Sequence, residues 1–424
     1  MGEIFSVNFY EESYKNLVSG MDAYFQDFKN SILMEETIEL IKSKLLTGNV
    51  DTIRTIITDV IGKINSATVN IAVVGESGSG KSSFISALRN VKREETQVTA
   101  TGMKQTTMEP IAYKHPKFPN VVYWDLPDIE TTHFQPKEYL EKVKFGQYDF
   151  LIILSATHFK ENYAQLAKEI KQMNKNVYFV RSKVDINLQN EHKCNPKSFD
   201  KEKVLQQIRD NCLHCFRNSK MDEPQIFLVS NNDLADYDFP LLTETLLKNL
   251  TAQKRYILLL SLPCVTDEDI ERKKNSLRQK IWLKALKAGL LATLPMGSSF
   301  SDNDVKNLKA RIEKYRALLG VDDASLQNLA QILHMPMENV KKQVKSPNLL
   351  EEKKDDSLGD MVFKYLEKIC STSGGLLATG LYFRKIYYMQ LHILDTVTND
   401  AKNLLKMAVE KKRLISQQDK LSEN

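Results

Sequence analysis

Along the first 68 positions the apolar residues recur at steps of three and four. Ile38, Ile41 and Leu45 fall on one helical face, and Ile53, Ile56, Ile57, Val60, Ile61 and Ile64 on another. Between these runs, Gly48-Asn49 combines a helix stop with a turn, so two helices are predicted. The period then changes. Val69-Asn70-Ile71-Ala72-Val73-Val74 is a short β-branched run, and similar runs recur at 120–124, 150–155, 177–180 and 226–229. Helix-patterned segments such as 163–173 separate the later ones. Short apolar strands alternating with helices predict an α/β fold, a mostly parallel doubly wound sheet covered on both faces. Past residue 250 the strand signal stops, and 267–294, 302–319, 325–333 and 361–370 carry the helical pattern. A charged stretch, 345–360, with Pro347 and Gly359, predicts a mobile loop. The expected plan is an N-terminal helical segment over 1–68, an α/β domain over 69–250 and a C-terminal helical segment over 251–424.

Composition narrows the class without changing this plan. At 424 residues the chain has room for two or three cores, and 42% hydrophobic with 27% charged residues excludes disorder. A net charge of +5, from 59 basic and 54 acidic residues, is too even for a dedicated nucleic-acid binder. Five cysteines give no disulfide framework. Cys212-Leu213-His214-Cys215 has no second ligand pair at zinc spacing and sits in an amphipathic pattern, so it reads as ordinary helix. No apolar run approaches the roughly 20 residues that span a bilayer. Glu3, Glu11 and Glu12 stand where a signal peptide needs basic and then apolar residues. An intracellular protein that does not cross the membrane is expected.

The decisive motif follows the first strand. Gly75-Glu76-Ser77-Gly78-Ser79-Gly80-Lys81-Ser82 is a complete G-x-x-x-x-G-K-[ST] loop, with Ser83 beside it. Glycines let consecutive backbone N–H groups point at phosphate oxygens, and the helix that begins near Lys81 adds its positive end. Lys81 is expected on the β- and γ-phosphates and the Ser82 hydroxyl on Mg²⁺. Asp125, closing the apolar run Val121-Val122-Tyr123-Trp124, is expected to hold the same ion.

A third element reads the base. Ser182-Lys183-Val184-Asp185 follows a strand end. A carboxylate there accepts from both the ring N–H and the exocyclic amine of guanine, which adenine cannot reciprocate, and a lysine stem lies along the base plane. Ser230-Asn231, after Ile226-Phe227-Leu228-Val229, supplies the matching last loop. The expected ligand is GTP or GDP.

At this point the chain resembles the interferon-inducible immunity-related GTPases, a dynamin-like family of cell-autonomous defence. The likeness runs end to end. It includes Tyr113-Lys114-His115-Pro116, Trp124-Asp125-Leu126-Pro127, Tyr178-Phe179-Val180-Arg181 and Tyr237-Asp238-Phe239-Pro240, then Lys280-Ile281-Trp282-Leu283 and Asp395-Thr396-Val397-Thr398. The resemblance implies a P-loop GTPase domain set on a helical domain built from both chain ends. It implies assembly with itself or related GTPases across the GTPase face, and peripheral action from the cytoplasm on membranes around intracellular pathogens. Gly80-Lys81-Ser82 resembles the effector subgroup. Switch I of the family maps to Thr101-Gly102 and on to Thr107, with Thr107 placed among the catalytic residues beside Lys81 and Ser82. Those threonines read equally as targets of pathogen kinases and as ordinary loop hydroxyls.

Two features stand apart. Where the family reads Asp-Leu-Pro-Gly, this chain has Asp125-Leu126-Pro127-Asp128, which sets a side chain and a negative charge where a bare N–H approaches the γ-phosphate. Gln105 replaces a common switch I glutamate and Ile129 offers no water-positioning amide. GTP hydrolysis and a poorly hydrolysing regulator or kinase decoy are therefore both open. Met1-Gly2-Glu3-Ile4-Phe5-Ser6 matches the pattern for myristoylation at Gly2, and one acyl chain needs a second membrane signal. Phe383, Ile386, Tyr387, Leu391, Leu394, Ala401 and Leu405 trace one helical face with Lys411-Lys412-Arg413 beyond it, a pattern of either a core helix or a membrane-facing one.

Overall fold

A computed structural model describes residues 31–91, 109–129, 135–217, 224–291, 302–349 and 376–422. The chain divides into two units, one of Ser66–Val265 and one of Met1–Asn65 with Thr266–Asn424.

The second of these is helical. Helices α1 (Glu35–Leu46) and α2 (Val50–Ser66) bury Ile38, Ile41 and Leu45, and Ile53, Ile57, Val60 and Ile64. The stop between them works as its residues require. Gly48 sits at φ +67°, and Asn49 Oδ1 accepts from Thr52 N at 3.2 Å to cap α2. From the other end of the chain come α10 (Asp267–Leu291), α11 (Asp302–Leu319), α12 (Asp323–Ile332), α13 (Met337–Lys341) and α14 (Leu376–Ser422). Helices α10 and α14 pair in opposite directions through Lys274–Asp395 at 2.8 Å and Lys402–Glu271 at 2.6 Å. Along these two helices Trp282, Leu283, Leu286, Tyr387, Ile393, Leu394 and Val397 are buried, so the apolar stripe from Tyr387 to Ala401 is core. Residues from the two chain ends join here: Ile32 N donates to Gln279 Oε1 at 2.9 Å.

The predicted loop over 345–360 is corrected at its start. Ser346–Asn348 forms a single 3-10 turn, with Ser346 buried, and the Asp400 carboxylate accepts from Lys345 N at 3.0 Å and Ser346 N at 2.8 Å. The remainder, 350–360, and the helix expected over 361–370 lie outside the described residues. Asp400→Asn would turn an amide N–H₂ toward one of these backbone donors. The expected cost is about 1–2 kcal/mol, read from chemical denaturation midpoints.

The α/β unit holds a six-stranded sheet in the order β2-β3-β1-β4-β5-β6. Its strands are β1 (Val69–Gly75), β2 (Ile111–Lys114), β3 (Val121–Asp125), β4 (Phe150–Ser155), β5 (Asn176–Arg181) and β6 (Ile226–Leu228). All neighbours run parallel except β2, which pairs antiparallel with β3. The sequence pattern did not announce β2, an edge strand of four residues with only Tyr113 buried, because one inward side chain leaves no alternation to read. On one face Ala72, Val74, Leu151, Ile153 and Phe179 pack with Tyr163, Leu166, Cys212 and Phe216. Those helical partners come from α5 (Glu161–Gln172) and α7 (Lys201–Arg217), so Cys212 is a buried helix residue. Ile71, Val73, Ile152 and Leu154 are buried on the opposite face, where α3 (Lys81–Leu88) and α9 (Ala252–Ser261) contact β1 and β3. Helix α9, which the sequence boundary at 250 sets beyond the α/β domain, therefore belongs to this unit. Strand order reverses at β1, which puts a crevice at the carboxyl ends of β1 and its neighbours.

Candidate functional site

Gly75 is the last residue of β1 and has no room for anything larger. A Cβ there would lie 2.1 Å from Leu154 O and 2.9 Å from Ser79 Oγ. The chain then turns through Gly78 at φ +79° and Gly80 at φ +91°, values that suit glycine. Gly80 caps α3, whose first residues are Lys81, Ser82 and Ser83. Lys81 folds back over the loop, with Nζ donating to Gly75 O at 2.6 Å and Glu76 O at 3.3 Å. Ser82 is exposed and Ser83 half-buried.

The same ammonium makes an ion pair with Asp128 Oδ1 at 2.5 Å. Asp128 is held there by its neighbours: Leu126 is buried, and Tyr139 OH donates to Pro127 O at 2.8 Å. The lysine that a phosphate loop offers to its anion thus carries a carboxylate from its own chain. Sequence reading flagged Asp128 as a charge near the ligand but missed this pairing, for which spacing gives no signal.

Asp125 ends β3 and is buried, and its Oδ1 has no hydrogen-bond partner among the described residues. Burial pushes its carboxyl up to about 6; Lys81 opposes that rise and Asp128 adds to it. An orphaned, buried carboxylate oxygen on the strand beside the loop fits a cation better than it fits the apolar core around it. The donor chemistry therefore suits Mg²⁺.

The remaining loops close around the first. Ser182 is buried, and its hydroxyl donates to Ser79 O at 2.6 Å and Ser155 O at 3.2 Å, fastening the end of β5 to the phosphate loop. Lys183 takes φ +59° and opens α6 (Val184–Cys194), with Asp185 in the first turn. Past β6, Ser230 Oγ accepts from Asn232 N at 3.1 Å and Asp233 N at 3.3 Å, and Asn231 Nδ2 donates to Gly80 O at 3.3 Å. Asn231 Oδ1 and Ser79 Oγ are buried without a hydrogen-bond partner among the described residues. Asn232, which the motif reading passed over, donates to Asp185 Oδ2 at 2.9 Å and steadies that carboxylate. The structure thus brings Gly75, Gly78, Ser79, Gly80, Lys81, Ser82, Ser83, Asp125, Ser182, Lys183, Asp185, Ser230 and Asn231 to one end of the sheet. Thr101, Gly102, Thr107 and Gly2 lie outside the described residues.

The interferon-inducible GTPase family (IIGP) matches residues 34–408 of this chain. The chain belongs to that family. Three mouse members are similar over nearly their whole length. Interferon-gamma-inducible GTPase 10 is 46% identical over 396 residues, covering 93% of this chain and 95% of the relative. T-cell-specific guanine nucleotide triphosphate-binding protein 2 is 48% identical over 398 residues, 93% and 96% respectively. Interferon-inducible GTPase 1 is 42% identical over 408 residues, 96% and 98%. As an interferon-inducible GTPase, the chain carries the phosphate loop on a mostly parallel sheet, with helices from both ends of the chain in a separate unit. Among its described residues no helix is long and apolar enough to cross a membrane.

Proposed function

We propose that this family member binds GTP and GDP with Mg²⁺ and acts as a dynamin-like assembly on membranes around intracellular pathogens. The supporting observation is the convergence of Lys81, Asp125 and Asp185 at the carboxyl ends of β1, β3 and β5. Backbone N–H groups of 75–82 and the Lys81 ammonium take the phosphates. Ser82 and Asp125 would hold the metal, which would supply positive charge against the phosphates. Asp185, steadied by Asn232, takes the Watson–Crick edge of guanine, while Lys183 lies along the base and the 230–231 loop closes behind it. Switch I, with Thr101, Gly102 and Thr107, and a myristoylated Gly2 complete this reading. Partners are copies of the chain or related GTPases across the nucleotide face, with pathogen kinases acting on the switch threonines.

A second reading is supported by Asp128. Its ion pair with Lys81 favours a chain that hydrolyses poorly and serves as a regulator or decoy. Turnover of GTP followed over a range of protein concentrations separates the two. A specific rate that climbs with concentration carries the assembling GTPase, and a flat, near-zero rate carries the regulator.

Asp185→Asn tests the base contact. An amide cannot accept from both guanine donors, so guanine nucleotide affinity falls at least about tenfold. Xanthine nucleotide, which offers a carbonyl where guanine has its amine, gains in the same titration. Unchanged preference for guanine would remove Asp185 from the site.

A further inference from the structure

Strand β5 ends in a buried cation. Arg181 is 5% exposed, and its backbone stays in the sheet, registered against Ser155 on one side and Leu228 on the other. Its side chain turns to the loop that follows. Nη1 donates to Ser182 O at 2.5 Å, and Nη2 donates to Asn187 Oδ1 at 2.9 Å, early in α6. The planar fork of the guanidinium therefore spans Lys183 and Asp185, with one donor on each flank of the pair.

Among the described residues no carboxylate forms an ion pair with Arg181. Burial lowers its pKa from the ordinary arginine value, and the nearby Cys212 of α7 opposes that. A guanidinium starts so high that it keeps its charge here. Taking that charge out of water without a counter-ion is costly, and an apolar side chain would fill the same place at less expense. Packing alone gives no reason for an arginine; the two acceptors do.

What they belong to is a strained turn. Lys183 sits at φ +59°, a left-handed conformation that a residue with a Cβ resists. Rotation there is set by the plane of the Ser182–Lys183 peptide, whose carbonyl is Ser182 O. Arg181 fixes that plane and, through Asn187, the start of α6, where Asn187 N also donates to Lys183 O at 3.3 Å. Without that grip Lys183 relaxes to negative φ, its stem leaves the plane of the base, and Asp185 shifts with the helix end.

We propose that Arg181 is a positioning residue for guanine: with Asn187 it holds Lys183 and Asp185 where they read the exocyclic amine, a role that rests on Asp185 taking the Watson–Crick edge. Both residues lie outside the Ser182–Asp185 motif itself.

The full chain with Mg²⁺ is titrated at equilibrium with labelled GDP, and by competition with inosine diphosphate, which lacks that amine. In Arg181→Met the preference for GDP over inosine diphosphate falls at least about fivefold, while the melting temperature without nucleotide shifts little. Arg181→Lys keeps the charge and one donor but not the fork, and loses less. Asn187→Ala moves the ratio in the same direction. Combined with Arg181→Met it adds nothing, as two parts of one clamp require. Equal weakening of both nucleotides would make Arg181 a general support of the fold and overturns the proposal, as does an unchanged ratio in Arg181→Met. Should Arg181→Met not fold, Arg181→Lys and Asn187→Ala decide by the same ratio. Asp185→Asn runs alongside. If it too keeps the preference for GDP, the base contact is wrong and the role of Arg181 goes with it. If it alone loses the preference, the contact stands and only the role of Arg181 falls.

Discussion

Asp128→Gly is expected to tighten GTP binding by about 30- to 150-fold while changing GDP binding far less. The carboxylate and Lys81 are 2.5 Å apart, so an incoming β,γ-phosphate must first draw the ammonium away and then share the space with a negative charge. Two like charges about 4 Å apart repel by roughly 4 kcal/mol at an effective dielectric near 20. Asp128 is one-third exposed, and solvent screening reduces the figure to about 2–3 kcal/mol, which gives the quoted range. GDP lacks the group that would sit nearest and escapes most of this. Asp128→Asn separates charge from shape. Recovery close to that of the glycine variant means charge dominates, and recovery of only a small part means the side chain itself blocks the backbone N–H. Equilibrium titration with labelled GTP and GDP reads all three proteins. Identical GTP affinity in all of them would remove Asp128 from the phosphate site.

The second large effect is expected at Gly75→Ala. The new methyl would lie 2.1 Å from Leu154 O, and Leu154 is the registered partner of Gly75 in the β1–β4 ladder. That carbonyl is backbone in a central strand and cannot rotate aside, so relief requires parting two strands or distorting the loop that follows. The expected cost is about 3 kcal/mol. For a unit the size of Ser66–Val265 this is a fall of roughly 6–12 °C in its melting temperature, with nucleotide affinity lost alongside. Gly62→Ala is the counterpart. It lies inside α2, where nothing stands within 4 Å of the added Cβ, and a helical alanine is favoured over glycine by about 0.5–1 kcal/mol. A melting temperature that stays level in Gly75→Ala would show the strand pair to be looser than its register implies.

How far the sequence reached follows from which signals are local. The phosphate loop was legible because its glycines and lysine are consecutive and its flanking strand and helix keep their own periods. The long helices read well for the same reason, with 302–319 placed to the residue. Strand β2 was not legible, since a four-residue edge with one inward side chain has no period. The tether at 345–346 was also hidden, because its acceptor, Asp400, is more than 50 residues away. At the site, the identity of Asp128 was readable while its partner was not, and Asn232 became visible only as the residue that steadies Asp185. Pairings of this kind belong to the tertiary fold, where neither spacing nor composition records them.

The helical unit is sewn from two distant pieces of chain, with Ile32 joined to Gln279 and Asn65 to Lys280 at separations of 247 and 215 residues. This has a consequence during synthesis. At roughly 5–20 residues per second, helices α1 and α2 leave the ribosome about 10–50 s before the segment with Gln279 and Lys280, which bonds to Ile32 and Asn65, has been made. Through that interval their apolar stripes must be sheltered by something other than their final partner. The intervening α/β unit can close in the meantime, so an arrest of translation near residue 265 would yield a finished sheet alongside an orphaned helical pair that chaperones hold.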